Sequence, residues 1–276
     1  MSQSSNESYT ESYVAFLDIL GFKNRVRKDG FERIKHLYYL INMISGKDLS
    51  DEYSNAEIAF SRANHDSSSD LYDYNYALHL TTIKIMSDSI VIVTPVVCGE
   101  ALAVVIDICN RIQEILYEYN EDFSEPVLVR GAIAKGDMYI NEDVMFGQAL
   151  IDAYLAQEHI AIYPRIILSD SVIASSKCNV DDLGGCGFLN LVQDERDYYC
   201  YIDTLGNWLL EGNCGIQIYK VDKYKAFRVH IDDMLEDYID KSVREKYLWL
   251  RKDLERAADA AEQARLRYEE SMKELW

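Results

Sequence analysis

Two stretches, YVAFLDILGFK at residues 13–23 and TIKIMSDSIVIV at residues 82–93, decide how this chain reads. Both are rich in aromatic and β-branched residues, the composition of a buried strand. Each is interrupted by one carboxylate, Asp18 in the first and Asp88 in the second. A bare carboxylate in such a setting is costly unless something cationic meets it. Two of them can meet over one or two divalent metals, and a metal pair is suited to phosphoryl chemistry.

Working outward, Tyr13 to Leu17 is predicted as a strand and Gly21 as a turn. Phe31, Ile34, Leu37, Tyr38, Ile41 and Ile44 then recur at helical steps, and Gly46 ends that helix. Residues 47–79 are polar and rich in Ser, Asp and Asn, which predicts a long surface loop or insertion. Leu80 to Met86 and Ile90 to Val93 flank Ser87-Asp88-Ser89 as a hairpin, although the turn lacks the usual Asn-Gly pair. Leu102, Val105, Ile106, Cys109, Ile112, Leu116 and Tyr119 share one helix face. Val127 to Ala134 reads as a strand, Lys135-Gly136-Asp137 as a turn and Met138 to Ile140 as a short strand. Gly147 opens a helix that runs to about His159, and Pro164 to Leu168 starts another strand. The order predicts an α+β fold, a ferredoxin-like βαββαβ core whose antiparallel or mixed sheet carries helices on one face.

From about Ile231 to Trp276 there is no Pro or Gly, so one long helix is expected. Val243, Tyr247, Leu250, Leu254, Ala257, Ala261 and Ala264 alternate four- and three-residue steps, close to a heptad seam. Such a seam serves either the helix's own domain or a dimer. The expected organisation is a flexible tail at 1–12, one domain at 13–225 and a C-terminal helix at 226–276.

The 276 residues are 49% apolar and 27% charged, as in globular proteins, and the net charge is −19. That charge argues against nucleic acid or an anionic membrane as the main partner, while a local basic pocket can still take a small polyanion. No run reaches membrane-spanning length, and the N-terminus lacks the charged and apolar segments of a signal peptide. The six cysteines form no C-x-x-C pair or zinc spacing. A cytoplasmic location with reduced thiols is expected.

FLDILGFK, IKIMSDS and VRGAIAKGDMYINEDVMFGQALIDAYLAQE, in that order within residues 13–170, resemble the catalytic domain of class III nucleotidyl cyclases. The resemblance implies that Asp18 and Asp88 are metal-binding carboxylates and that Ile19 lends its backbone carbonyl to a metal. It implies a triphosphate-cradling turn at Gly21 and Phe22, a phosphate-gripping arginine at Arg130 and a base-reading lysine at Lys84. Two divalent ions, Mn²⁺ or Mg²⁺, would serve each site, shared between the protomers of a homodimer.

The pattern also departs from the purine enzymes of that family. The second base-reading position falls near Val144 or Met145, which cannot hydrogen-bond a purine edge. The helix positions usually held by Asn and Arg carry Ile151 or Asp152, then Leu155, and Ser87 stands where Gly is usual. These departures, with G-x-A-x-x-x-A-Y at Gly147 to Tyr154, resemble the bacterial pyrimidine cyclases of anti-phage defence. The implied reaction converts UTP or CTP to cyclic UMP or cyclic CMP and pyrophosphate, a signal for a separate effector protein. Tyr53 and Tyr72 of the insertion are candidates for the base pocket. A purine cyclase, or a degenerate cyclase fold acting as a nucleotide-sensing or dimerisation module, are the other readings.

Overall fold

A computed structural model describes residues 8–44, 70–175, 191–213 and 216–274. Strand β1 (Thr10–Ile19) leads through helices α1 (Phe22–Lys28), α2 (Gly30–Ile44) and α3 (Asp70–Leu80) to the hairpin β2 (Thr82–Met86) and β3 (Ser89–Pro95). Helix α4 (Ala101–Glu118) precedes the long strand β4 (Val129–Ile140), β5 (Met145–Gly147) and helix α5 (Gln148–His159). The remainder comprises β6 (Ile166–Leu168), α6 (Asp170–Ser175), β7 (Leu191–Gln193), β8 (Cys200–Ile202), α7 (Thr204–Leu209), β9 (Leu210–Asn213), β10 (Ile216–Tyr219), α8 (Val221–Asp237) and α9 (Lys241–Glu274).

The first four main strands lie in the order β2-β3-β1-β4, all antiparallel, which is the arrangement expected of a βαββαβ core. Beyond β4 the sheet continues through β6, β8 and β7, and the β4–β6 pairing is parallel, so the whole sheet is mixed. Alternation along β1 divides its side chains between two cores. Tyr13, Ala15, Leu17 and Ile19 pack with Leu37, Leu40 and Ile41 of α2 and with the apolar face of α4. Val14, by contrast, packs with Ala149 and Ala153 of α5. Helices therefore cover both faces of the sheet, not one.

Three local expectations need correction. First, residues 70–80 of the supposed loop are helix α3, and residues 45–69 lie outside the described ones, as does Tyr53. Tyr74, Ala77 and Leu78 give α3 a short apolar stripe against the main core, and the Tyr74 hydroxyl donates to Asp107 of α4 at 2.6 Å. Second, Lys135-Gly136-Asp137 is not a turn. These residues stay in the ladder opposite Tyr13, Ser12 and Glu11 of β1. A Cβ on Gly136 would sit 3.4 Å from the Ala149 amide nitrogen, so glycine there admits the start of α5 rather than reversing the chain. The reversal comes later, where the Asn141 side chain accepts the amides of Asp143 and Val144.

Third, the C-terminal helix is broken at residues 238–240. Asp240 Oδ1 accepts the amides of Ser242 at 2.9 Å and Val243 at 3.1 Å, the N-cap geometry that starts a new helix without Pro or Gly. The α9 seam is buried against its own chain from Tyr247 through Leu250, Leu254 and Ala257 to Ala261, alongside Phe227 and Ile231 of α8. Of its two possible uses, the structure shows the intramolecular one. Among the described residues, no helix is long and apolar enough to cross a membrane.

Candidate functional site

The site is a product of strand register. Asp18 stands opposite Ser89 on β3 and opposite Arg130 on β4. One residue on, the Ile19 amide donates to the Asp88 carbonyl at 2.9 Å, and the Leu20 amide donates to Leu128 at 2.8 Å. The end of β1 is thus held between the hairpin tip and the start of β4. Two carboxylates seventy residues apart in sequence are brought to adjoining strand ends.

Arg130 donates from Nε to Asp18 Oδ2 at 2.9 Å, with the side chains 21% and 20% exposed. The predicted phosphate ligand and the predicted metal ligand are therefore paired with each other. Gly21 then turns the chain at φ 71, a left-handed conformation that glycine adopts without steric cost. Phe22 follows as the first residue of α1. The amides of Asn24 and Arg25 bond back to Gly21, which leaves those of Phe22 and Lys23 at the opening of the helix.

The hairpin turn carries Asp88, half-buried, at its tip. Met86 pairs with Ser89, so Ser87 and Asp88 form a two-residue loop, and Ser87 sits at φ 56. A positive φ at the first loop position is what glycine normally supplies in such hairpins. Here a side chain outside the hairpin supports the turn: the Tyr38 hydroxyl of α2 donates to the Ser87 carbonyl at 2.6 Å. Tyr38 also meets the Phe22 ring edge-on at 6.2 Å, linking the two turns that bracket Asp18. Burial, followed by the Asp88 charge, pushes the Tyr38 phenol above its ordinary pKa and keeps it a donor. Sequence reading missed this role because Tyr38 falls within the helical core stripe.

Lys84 is not brought to this cluster. It lies four residues before Asp88 on β2, and four residues of strand span roughly 13 Å. Its ammonium instead donates to the carbonyls of Asn141 at 3.1 Å and Glu142 at 2.9 Å, tying β2 to the β4–β5 turn. Beside that turn Val144 is 47% exposed, and α5 presents Ile151 and Leu155 to solvent.

Among the described residues, no group of three or more His, Cys, Asp or Glu is placed to hold a metal ion. Asp18 and Asp88 contribute two carboxylates and Ile19 a neighbouring backbone carbonyl. This oxygen set fits Mg²⁺ or Mn²⁺, which commonly take one or two protein carboxylates and complete their shells with water and substrate phosphates.

No family model matches the chain. No curated protein matches it either. Solved structures similar to it include the guanylyl cyclase Cya2, 14% identical, with 71% of this chain and 91% of that chain covered and a TM-score of 0.41. The adenylyl cyclase CyaB from P. aeruginosa is 13% identical over 71% of this chain and 94% of that one, with a TM-score of 0.44. The guanylyl cyclase domain of the RhoGC fusion protein from the aquatic fungus Blastocladiella emersonii is 16% identical, over 70% and 94%, with a TM-score of 0.37.

Proposed function

We propose that this chain is a metal-dependent pyrimidine nucleotide cyclase, converting UTP or CTP to the 3′,5′-cyclic monophosphate and pyrophosphate. The observation that carries the reading is the register that sets Asp18, the Asp88 turn and Arg130 side by side at the strand ends. The three sequence blocks that resemble class III cyclases fall on these same elements.

In this reading Asp18, Asp88 and the Ile19 carbonyl hold two divalent ions. When bound, the ions supply an activated ribose 3′-hydroxyl and a stabilised leaving pyrophosphate. The protein's own part is to position. Asp18 would hold metal in place of its Arg130 partner, and the planar guanidinium of Arg130 would then be available to phosphate oxygens. The Gly21-Phe22 turn offers backbone amides to the triphosphate, and the glycine allows close approach. Tyr38 keeps the hairpin tip, and so Asp88, from shifting away.

The base assignment rests on what surrounds the β4–β5 turn. Val144 or Met145 is apolar where a purine reader needs a donor or acceptor, so discrimination falls to shape and to other side chains. Supplying each of the four ribonucleoside triphosphates with Mn²⁺ and identifying the product tests this. Cyclic UMP or cyclic CMP is expected, and cyclic AMP or GMP overturns the pyrimidine assignment. Cyclic UMP or CMP would then act as a signal to a separate effector protein in antiviral defence.

A homodimer with shared sites is part of the same proposal. Lys84 cannot serve the Asp18 site of its own chain, but it can face the partner's. Ile151, Tyr154 and Leu155 recur at helical spacing on the exposed side of α5 and are 51%, 42% and 42% exposed, next to Phe146 at 48%. An exposed apolar stripe of this kind marks an interface. Leu155→Glu is expected to leave a folded monomer that has lost activity, read by sedimentation and turnover. An active monomer, or an unchanged dimer, would remove this surface from the proposal.

One observation favours a second reading. The Asp18–Arg130 ion pair occupies both groups, as it would in a degenerate domain that binds nucleotide without turnover. Such a domain releases no pyrophosphate.

A further inference from the structure

The C-terminal helical pair is anchored close to the strand ends that carry the site. Tyr238, between α8 and α9, stacks on Tyr247 of α9 at 5.7 Å. Its hydroxyl donates to Glu125 just before β4, and the other oxygen of Glu125 takes Lys28 of α1 at 2.6 Å. Arg25 of α1 donates to the carbonyls of Glu125 and Pro126 in the same connection. The opening turns of α9 are therefore tied both to α1, which follows Gly21, and to the segment leading into β4.

The apolar packing locates this contact more closely. Leu20 and Val243 pack against the cluster that contains Tyr247 and Leu128. Leu128 and Arg130 are two residues apart and share one face of the chain entering β4. Leu20 stands two residues beyond Asp18 and bonds to Leu128 through its amide. The first turns of α9 thus belong to the same packed cluster as Leu20 and Leu128, each two residues from Asp18 or Arg130 along the chain. Lys246, next to Tyr247, is half-buried there and makes no ion pair or hydrogen bond among the described residues.

We infer that Lys246 is a third charged residue of the candidate site and grips the polyphosphate of the bound nucleotide from the C-terminal helix of the same chain. The inference rests on the cyclase reading above and extends it to a part of the chain outside the three sequence blocks. A half-buried ammonium beside a guanidinium is unfavourable unless an anion joins them. Arg130, paired with Asp18, and Lys246, which feels both Asp18 and Asp240, form a local pair of cations in a chain of net charge −19. Both groups act on Lys246: burial first and then Arg130 lower its pKa, against the opposing pull of Asp18 and Asp240. With Asp18 given over to a metal, the two cations would meet phosphate oxygens, the guanidinium as a fork and the ammonium as a point charge. This also supplies a cation in cis where α5 carries Leu155.

The test uses the full chain with Lys246→Met, which keeps the aliphatic stem and removes the charge, and Lys246→Arg, which keeps the charge. Inorganic tripolyphosphate with Mn²⁺ is titrated calorimetrically, and KM for the nucleotide is measured alongside. Losing one charge-assisted contact weakens tripolyphosphate binding by about tenfold in Lys246→Met and raises KM similarly, while Lys246→Arg stays near wild type. Melting temperatures and the identity of the cyclic product are expected not to change. Wild-type tripolyphosphate affinity in Lys246→Met overturns the inference, and if the wild-type protein still cyclises nucleotide, the cyclase reading survives it. Loss of binding in both variants with lowered melting temperatures makes Lys246 a structural residue and also overturns it. If wild type makes no cyclic product yet Lys246→Met binds tripolyphosphate more weakly, the phosphate contact stands and the reaction assignment falls.

Discussion

Asp88→Ala is expected to fold and dimerise like wild type while losing at least about 10²-fold in turnover, the scale set by removing one preorganised charge-stabilising group. The separation of folding from activity follows from how Asp88 is held. Its structural work is done by the backbone, since the carbonyl accepts the Ile19 amide, and alanine keeps that bond. The strained loop residue is Ser87, supported by Tyr38, and neither is changed. The Asp88 carboxylate makes no hydrogen bond or ion pair among the described residues. A change at such a position usually moves stability by no more than about 0.5 kcal/mol. Asp18→Ala is a less clean test because it also strips Arg130 of its partner. Product formation and thermal melting of purified Asp88→Ala check the expectation, and retained cyclase activity would sink the metal assignment.

The largest effect on stability is expected far from the site, at Arg165. Its side chain is fully buried, donates to Asp194 at 2.6 Å and also pairs with Asp197. The guanidinium lies 5.7 to 5.9 Å from the ring centroids of Tyr163, Tyr201 and Trp249. Asp194 additionally accepts Trp249 Nε1 at 2.9 Å, so one carboxylate joins β6, the β7–β8 turn and α9. Among the described residues the guanidinium Nε has no hydrogen-bond partner. Removing one member of a buried charge pair leaves the other uncompensated and costs about 3–5 kcal/mol. Arg165→Met is therefore expected to lower the urea midpoint steeply at neutral pH.

The same cluster predicts a pH dependence. Burial pushes the Asp194 carboxyl up, but the Arg196 amide and the guanidiniums of Arg165 and Arg196 prevail and hold it below its ordinary value. A carboxylate depressed on folding stabilises the protein above its unfolded pKa, about 3.9 for Asp, and that contribution is lost as pH falls through the folded value. The gap between wild type and Arg165→Met should narrow in acid. A gap that is constant or widens between neutral pH and pH about 3 would contradict this account.

Much of the site was legible because it rests on local pattern plus pairing. The interrupted strands of Asp18 and Asp88 and the helix opened by Gly147 are where the sequence places them. Gly147 also shows why the residue is needed, since an added Cβ would meet the Asp137 carbonyl at 2.3 Å. What could not be read depends on partners distant in sequence. Lys135-Gly136-Asp137 has turn composition, yet pairing with Glu11 to Tyr13 keeps it extended. Helix α3 hides its stripe among polar residues. The break at Asp240 is a side-chain cap inside a run of helix formers. Tyr38 looks like an ordinary residue of its helix until tertiary packing brings it to Ser87.

In the proposed reading the Asp18–Asp88 strand ends hold a metal–triphosphate centre for cyclisation. This is tested most directly by incubating the full chain with Mn²⁺ and UTP or CTP and measuring both products together. The expected products are 3′,5′-cyclic pyrimidine nucleotide and pyrophosphate in equal amounts, abolished by a chelator. Release of orthophosphate with the nucleoside diphosphate, or no reaction with any of the four nucleotides, would contradict it.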